Sequence, residues 1–227
     1  TALNDTSLHE LTHFNAAATI FELSRHAPLR LQVLSCRVVR ALVRNLRVGP
    51  NEVTDVRARM QEKALGTLRE LAQDERIRKS MAGNRTVTRV LFLHLSVGTT
   101  LSKDHAAVTL FWLVDHFTDS VRWKAIEACL ETIPKEIECD WTTRIACVRM
   151  VPRLLKSDAD ISYFLSSTNR PAVASGMDSL IDMIHSKQGL ALVEPILWTI
   201  LFLLQVALAV DMIFHSKRTM KLLRYHM

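Results

Sequence analysis

The stretch QEKALGTLRELAQDERIRKSM, from Gln61 to Met81, decides the fold predicted for this chain. Its first half has leucines and alanines at helical spacing, and a short polar break follows. A second helical pattern begins directly after that break. The question for function is whether this stretch is a helical piece of an enzyme or one copy of a repeated module.

The composition predicts one helical domain. The chain has 227 residues, of which 48% are apolar, enough to form a sizeable core. Only 6 glycines and 6 prolines occur, and no Pro-, Ser- or Gly-rich linker divides the sequence. We therefore predict an all-α protein with a single domain over residues 1–227.

Long helical segments recur along the chain at similar intervals. Their last leucines are separated by 48, 42, 42 and 48 residues. The segment after each leucine also recurs, because Asp74 and Asp158 both lie three residues beyond it, while Ile77 and Ile161 lie six beyond it. Such periods are typical of helical solenoids with two or three helices per unit. The repeat leucines are Leu23, Leu71, Leu113, Leu155 and Leu203.

Two segments, Ala16–Arg47 and Gln61–Leu95, resemble armadillo repeats, in which a long helix is followed by a short one and a medium one. The resemblance implies a right-handed superhelical solenoid of about four to five degraded three-helix repeats. It also implies a non-catalytic protein-interaction scaffold, such as an accessory structural subunit of a larger assembly, with other protein subunits as partners and no cofactor. A concave groove would be lined by residues near the ends of the long helices: Glu22, Arg69, Glu70, Trp112, Arg149 and Trp198.

Four arginines at helical spacing form what we call the arginine stripe: Arg37, Arg40, Arg44 and Arg47. They fall on one strip of a helix whose apolar residues face mostly the other way. No acidic residue occurs between Leu23 and Asn51. The stripe is either an ordinary solvated face or a binding surface for an acidic protein, RNA or anionic lipid. Aromatic residues for base stacking are missing from it, which disfavours single-stranded RNA.

One enzyme motif competes with the repeat. Residues 9–13 read HELTH, so His9 and His13 could ligate zinc with Glu10 as general base, and Glu52 is a candidate third ligand. Ser7 with Glu10 also forms a capping box at a helix start, which explains the glutamate without a metal. We therefore expect no enzyme and no metal site, and the zinc metallopeptidase remains a remote alternative.

The C-terminal part is strongly apolar. Sixteen residues, Pro195–Val210, contain only two polar side chains. A membrane-spanning helix needs about 20 apolar residues, so we interpret this run as core or as a contact with a partner subunit, with membrane contact as the alternative. Four cysteines without C-x-x-C spacing indicate reduced thiols and an intracellular protein. The net charge of +6 favours a mitochondrial over a cytosolic location.

Overall fold

A computed structural model describes residues 10–35, 38–47, 55–133, 139–155 and Asp178 of the chain. All regular secondary structure within these ranges is helical, which confirms the all-α prediction. The chain divides into two compact units, Thr1–Thr118 and Asp119–Met227. The prediction of a single domain stays a prediction.

The first unit contains seven α-helices within its described residues. Two long helices, α1 and α4, are each followed by two shorter ones, and α7 is followed by a 3-10 turn at Val114–His116. The helices are α1 (Glu10–Ser24), α2 (Ala27–Ser35), α3 (Val38–Asn45), α4 (Asp55–Ala72), α5 (Glu75–Gly83), α6 (Arg85–Val97) and α7 (Thr100–Leu113).

The long helices of this unit form its centre. Helix α4 packs against α1 on one side and against α7 on the other, α5 packs against both α6 and α7, and α3 contacts α4 and α6. Leu65, Leu68 and Leu71 of α4 are completely buried in this arrangement. A helix buried on two sides needs a wide apolar face, which the spacing of these leucines provides.

Gly66 allows the three long helices to come close together. A Cβ atom at this position would lie 2.7 Å from the Phe21 ring of α1 and 3.4 Å from His105 Nε2 of α7. A glycine inside a helix costs about 1 kcal/mol relative to alanine, so its presence here has a packing reason. Gly66 therefore marks the point where α4 is in contact with both neighbours.

Side-chain caps at the starts of α5, α6 and α7 allow short connections between consecutive helices. Asp74 caps α5 by accepting a hydrogen bond from the Arg76 amide, and the Asn84 side chain accepts from the amides of Thr86 and Val87 at the start of α6. Thr99 caps α7 in the same way. Each cap satisfies backbone N–H groups that a helix start leaves without an internal partner. As a result, helices follow one another after only a few residues.

The second unit contains α8 (Asp119–Thr132) and α9 (Trp141–Leu154), which pack against each other. Asp140 caps α9, and the buried Arg144 donates a hydrogen bond from Nε to the Ile133 carbonyl oxygen just beyond α8. Pro152 lies inside the last turn of α9.

The described repeat leucines all lie at the ends of helices. Leu23 and Leu71 precede the last residues of α1 and α4, Leu113 ends α7, and Leu155 directly follows α9. Leu203 is outside the described residues. The sequence pattern therefore located the ends of four helices correctly, although it does not by itself establish how many repeats the chain has.

Candidate functional site

Helix α3 positions the arginine stripe. Arg40, Arg44 and Arg47 are exposed, whereas Leu42 and Leu46 are completely buried. This orientation is the one that the helical spacing predicts, with apolar residues facing the core and guanidinium groups facing solvent. Arg37 lies outside the described residues. Three positive charges therefore project from one short segment.

A cavity of about 380 Å³ lies beside the stripe, between α3 and the pair α5–α6. Its wall contains the buried apolar side chains of Val43, Met81 and Val87. Two arginines of the stripe, Arg40 and Arg47, also line it and are exposed. We call this feature the arginine-rimmed cavity. Its volume lies within the range of about 300–1,000 Å³ that is usual for ligand sites.

The described residues that line this cavity carry only positive charge. None of them is acidic. Neither Arg40 nor Arg47 forms an ion pair with a carboxylate of the described residues. The Asn84 carboxamide oxygen, which also lines the cavity, is already bonded to the amides of Thr86 and Val87 at 3.0 and 3.3 Å. The arginines are therefore the groups best able to bind an anion there.

The ion pairs of the first unit lie elsewhere. Two charged residues of the predicted concave groove, Glu70 and Arg69, form ion pairs that link helices. Arg30 Nη2 of α2 lies 3.3 Å from Glu70 Oε2 of α4. Arg69 Nη1 of α4 lies 2.9 Å from Asp104 Oδ2 of α7. Both pairs are partly buried, so they are screened less than surface pairs.

The remaining residues of the predicted groove have different surroundings. Glu22 is exposed and pairs at 3.0 Å with Arg25, the residue that follows α1. Trp112 of α7 is half-buried, and the guanidinium carbon of Arg78 lies 4.6 Å from its ring centroid. Arg149 is exposed on α9 of the second unit. Trp198 lies outside the described residues. Glu22 therefore has a local partner, whereas Trp112 contacts a residue of α5.

Two arginines at equivalent positions bind the ends of the long helices, and we call them the helix-end arginines. Arg30 Nε donates to the carbonyl oxygen of Ser24, the last residue of α1, at 2.9 Å. Arg78 Nε donates to the carbonyl oxygen of Ala72, the last residue of α4, at 2.7 Å. A cation at a helix C-terminus satisfies carbonyl groups that have no internal partner and complements the helix dipole.

The two helix-end arginines also reach equivalent positions on a following helix, one through an ion pair and the other through a cation–π contact. Each guanidinium reaches the end of the next long helix, where Arg30 meets Glu70 of α4 and Arg78 meets Trp112 of α7. The two arginines are 48 residues apart, the same interval as between Leu23 and Leu71. Sequence reasoning missed them, although each directly follows the recurrent apolar residue, Leu29 or Ile77.

His105 is held neutral between helices. Burial lowers its pKa to about 4, and the positive charges of Arg69 and Lys63 act in the same direction. Arg69 Nη1 lies 3.3 Å from His105 Nδ1. Because a guanidinium can only donate, Nδ1 must accept, and the proton of the neutral ring is on Nε2. The nearby Asp104 carboxylate, 3.9 Å from Nδ1, is therefore not in an ion pair with this histidine.

His94 joins helices α3 and α6. It is completely buried, and its Nε2 lies 2.9 Å from the carbonyl oxygen of Leu46, just beyond α3. Burial lowers its pKa, and the hydrogen bond to Leu46 opposes that shift in part. The neutral ring therefore donates from Nε2 and closes the end of α3 against α6.

The zinc motif is only partly described. Glu10 begins α1 and His13 lies on the same helix, whereas His9 is outside the described residues. No group of three potential metal ligands occurs in the part of the chain that the structure describes. Cys129, Cys139 and Cys147 are buried and form no disulfide.

The apolar segment Pro195–Val210 lies outside the described residues, so its predicted roles stay predictions. Of the helices that are described, none has both the length and the apolar character needed to span a membrane.

Comparison with known proteins adds no relative. The chain matches no protein-family model, and no curated protein or solved structure is significantly similar to it.

Proposed function

We propose that the chain is a non-catalytic protein-interaction scaffold and an accessory subunit of a larger protein assembly, with its first unit built from successive copies of an armadillo-like helical module. The observation that carries the proposal is the pair of helix-end arginines. Arg30 and Arg78 bind equivalent carbonyl groups and reach equivalent points on the next long helix. Equal contacts at an equal interval are expected of a repeated module.

The packing of the long helices supports the same proposal. Helix α4 lies between α1 and α7, and α3 and α6, the third helix of each group, contact each other. One helix triplet cannot bury its apolar face alone, whereas neighbouring copies cover one another. Extension of this arrangement to about four or five repeats in a right-handed solenoid is part of the proposal and comes from the sequence intervals.

The use of charged side chains favours a binding role over catalysis. Arg69 and Asp104 join two helices, and the neutral His105 lies against the same arginine. These groups have structural partners that account for their position. The described arginines of the stripe, in contrast, are exposed to solvent, where a partner can reach them.

Native co-purification tests the proposed function. The tagged full-length chain is purified at low salt from cells that express it naturally, and the complex is analysed by native mass spectrometry. We expect a complex of fixed stoichiometry with at least one other protein. A chain that is recovered only as a monomer, with no protein retained at any salt concentration, would contradict the proposal.

RNA binding is the second candidate, and the positive charge of the first unit favours it. Residues 1–90 contain 15 basic and 9 acidic side chains, so the excess charge of the chain lies there. Binding to phosphate groups would weaken steeply with salt because counterions are released. Nuclease treatment during the same purification separates the candidates, since RNA-dependent partners are lost and direct protein partners are kept.

A further inference from the structure

The arginine-rimmed cavity combines positive charge with apolar side chains. Its described lining includes the buried Val43, Met81 and Val87 beside the polar Ser80, Asn84 and Thr86, and its charged members are arginines. Exposed arginines with no acidic partner among the described residues repel one another, which an acidic ligand would relieve. The positive charge therefore favours an acidic ligand.

We propose that the arginine-rimmed cavity binds a short acidic segment of a partner protein: its carboxylates pair with Arg40 and Arg47, and one apolar side chain enters the cavity. The inference rests on the proposed function as a protein-interaction scaffold and names the surface and the partner chemistry. Arginine suits this role because its planar guanidinium group pairs with a carboxylate through two parallel hydrogen bonds.

The shape of the charged surface favours an extended ligand over a single small anion. Arg44 lies one helical turn beyond Arg40 and is exposed, but it does not line the cavity. Positive charge therefore also lies on α3 beside the cavity, between the two arginines that line it. A peptide with several carboxylates can use this charge, whereas a lone phosphate or carboxylate would contact only part of it.

The cavity lining favours a peptide over RNA. None of the described residues that line it is aromatic, so these residues offer bases no ring on which to stack. The apolar side chains of its wall can instead contact an aliphatic or aromatic side chain of a peptide. Burial of one such side chain adds to the charge pairing and gives specificity.

The cavity also lies between helices from two separate parts of the sequence. Its wall is formed by α3 on one side and by α5 and α6 on the other, segments about forty residues apart in sequence. In terms of the proposed repeat, it lies where the first copy meets the second. The ligand would therefore contact both copies at once.

The experiment uses the full-length protein and three fluorescein-labelled, capped hexapeptides. The first, EELFEE, carries both acidic and apolar groups. The second, SSLFSS, lacks the charges, and the third, EESSEE, lacks the apolar pair. Binding is measured by fluorescence polarisation at low salt. We expect EELFEE to bind and the other two to bind at least about tenfold more weakly.

Variants of the chain locate the site. We expect Arg40→Glu/Arg47→Glu to weaken EELFEE binding by at least about tenfold, and Arg40→Gln/Arg47→Gln to weaken it by a smaller factor. Arg59→Glu is the matched control, because Arg59 is exposed on α4 and does not line the cavity. It changes the charge equally and should leave binding nearly unchanged. Thermal melting of each variant verifies that it folds.

Several results would overturn the inference. One is no binding of EELFEE at concentrations up to about 1 mM. Another is equal binding of all three peptides, and a third is equal loss in the control variant. Binding of labelled oligouridine that depends on Arg40 and Arg47, without binding of EELFEE, would instead assign the surface to RNA. If peptide binding fails while native co-purification still yields a stoichiometric complex, only the location of the interface is wrong.

Discussion

The first unit carries two sets of arginines in opposite surroundings. The helix-end arginines, Arg30 and Arg78, are partly buried and donate to carbonyl groups of their own unit. The arginines at the cavity, Arg40 and Arg47, are exposed and have no carboxylate partner among the described residues. The difference shows that the same residue type holds helices together in one place and remains available for contact in another.

The largest expected effect on stability comes from adding a larger side chain where α1, α4 and α7 are in close contact. Gly66→Leu would place a side chain where the Phe21 ring and His105 already lie. Overpacking at a buried contact typically costs 1–3 kcal/mol, and we expect a loss of about 3 kcal/mol or more in the free energy of unfolding, measured by urea denaturation.

Gly83→Ala is the control for that substitution. Gly83 ends α5, and a Cβ atom there would meet nothing within 4 Å. Alanine has the higher helix propensity, so this variant should be as stable as the wild type or up to about 1 kcal/mol more stable. A leucine at position 66 that is tolerated as well as this alanine would refute the close contact of α1, α4 and α7.

The second prediction concerns the helix-end arginines. Arg78→Met keeps much of the side-chain volume but removes the donors to the Ala72 and Gln73 carbonyl groups and the contact with Trp112. Hydrogen bonds that involve a charged group contribute about 1.5–3 kcal/mol. We expect a loss of about 2–3 kcal/mol in the free energy of unfolding, and Arg30→Met should cost a similar amount.

Equivalence of the two sites sharpens this prediction. If the module is repeated, the two methionine variants should lose stability to within about 1 kcal/mol of each other. A large loss of stability in one variant and none in the other would show that the two arginines do not stabilise the fold to the same extent.

The third prediction is a loss of stability in mild acid. The unfolded chain protonates a histidine near pH 6.5, whereas His105 in the folded chain resists protonation until about pH 4. Because the unfolded state binds more protons in this window, stability falls as the pH falls through it. We expect a loss of about 2 kcal/mol between pH 7.5 and pH 5, and the lowered pKa of His94 adds to it.

His105→Asn separates the contribution of His105 to the pH dependence of stability from that of His94. This variant cannot titrate at position 105, so its stability should depend less steeply on pH over the same range. Urea denaturation at several pH values measures the slope. A wild-type stability that stays constant from pH 7.5 to pH 5, or a variant with the wild-type slope, would show that His105 is not held neutral.

The smallest expected effect on stability is at the cavity. Arg40→Gln/Arg47→Gln removes two charges that have no acidic partner in the described parts of the chain, so nothing is left unpaired. Surface substitutions of this kind usually change stability by less than about 0.5 kcal/mol. The melting temperature should therefore be nearly unchanged. A clearly lower melting temperature would mean that these arginines stabilise the fold, as the helix-end arginines do.

The sequence predicted those features that depend on local pattern. The all-helical fold, the ends of helices at Leu71 and Leu113, and the outward orientation of Arg40 and Arg44 follow from residue spacing alone. The turn at Asp74 was also visible, since aspartate is a preferred cap residue.

The other features depend on which helices become neighbours. The cavity forms only where α3 meets α5 and α6, and no local spacing shows that Val43 will lie near Met81 and Val87. The same limit explains why the ion pairs of Arg69 and Glu70 with other helices were not visible in the sequence. Gly66 did carry a signal, because an interior helix glycine usually has a packing reason.

The central claim is that the chain makes its partner contact through the exposed arginines at the cavity, Arg40 and Arg47, and keeps the helix-end arginines for its own structure. The most direct measurement is native co-purification with wild type, Arg40→Glu/Arg47→Glu and Arg59→Glu, compared by quantitative mass spectrometry. The account predicts that the cavity variant melts like the wild type but loses the partner, while the control keeps it. A partner retained equally by all three chains would contradict it.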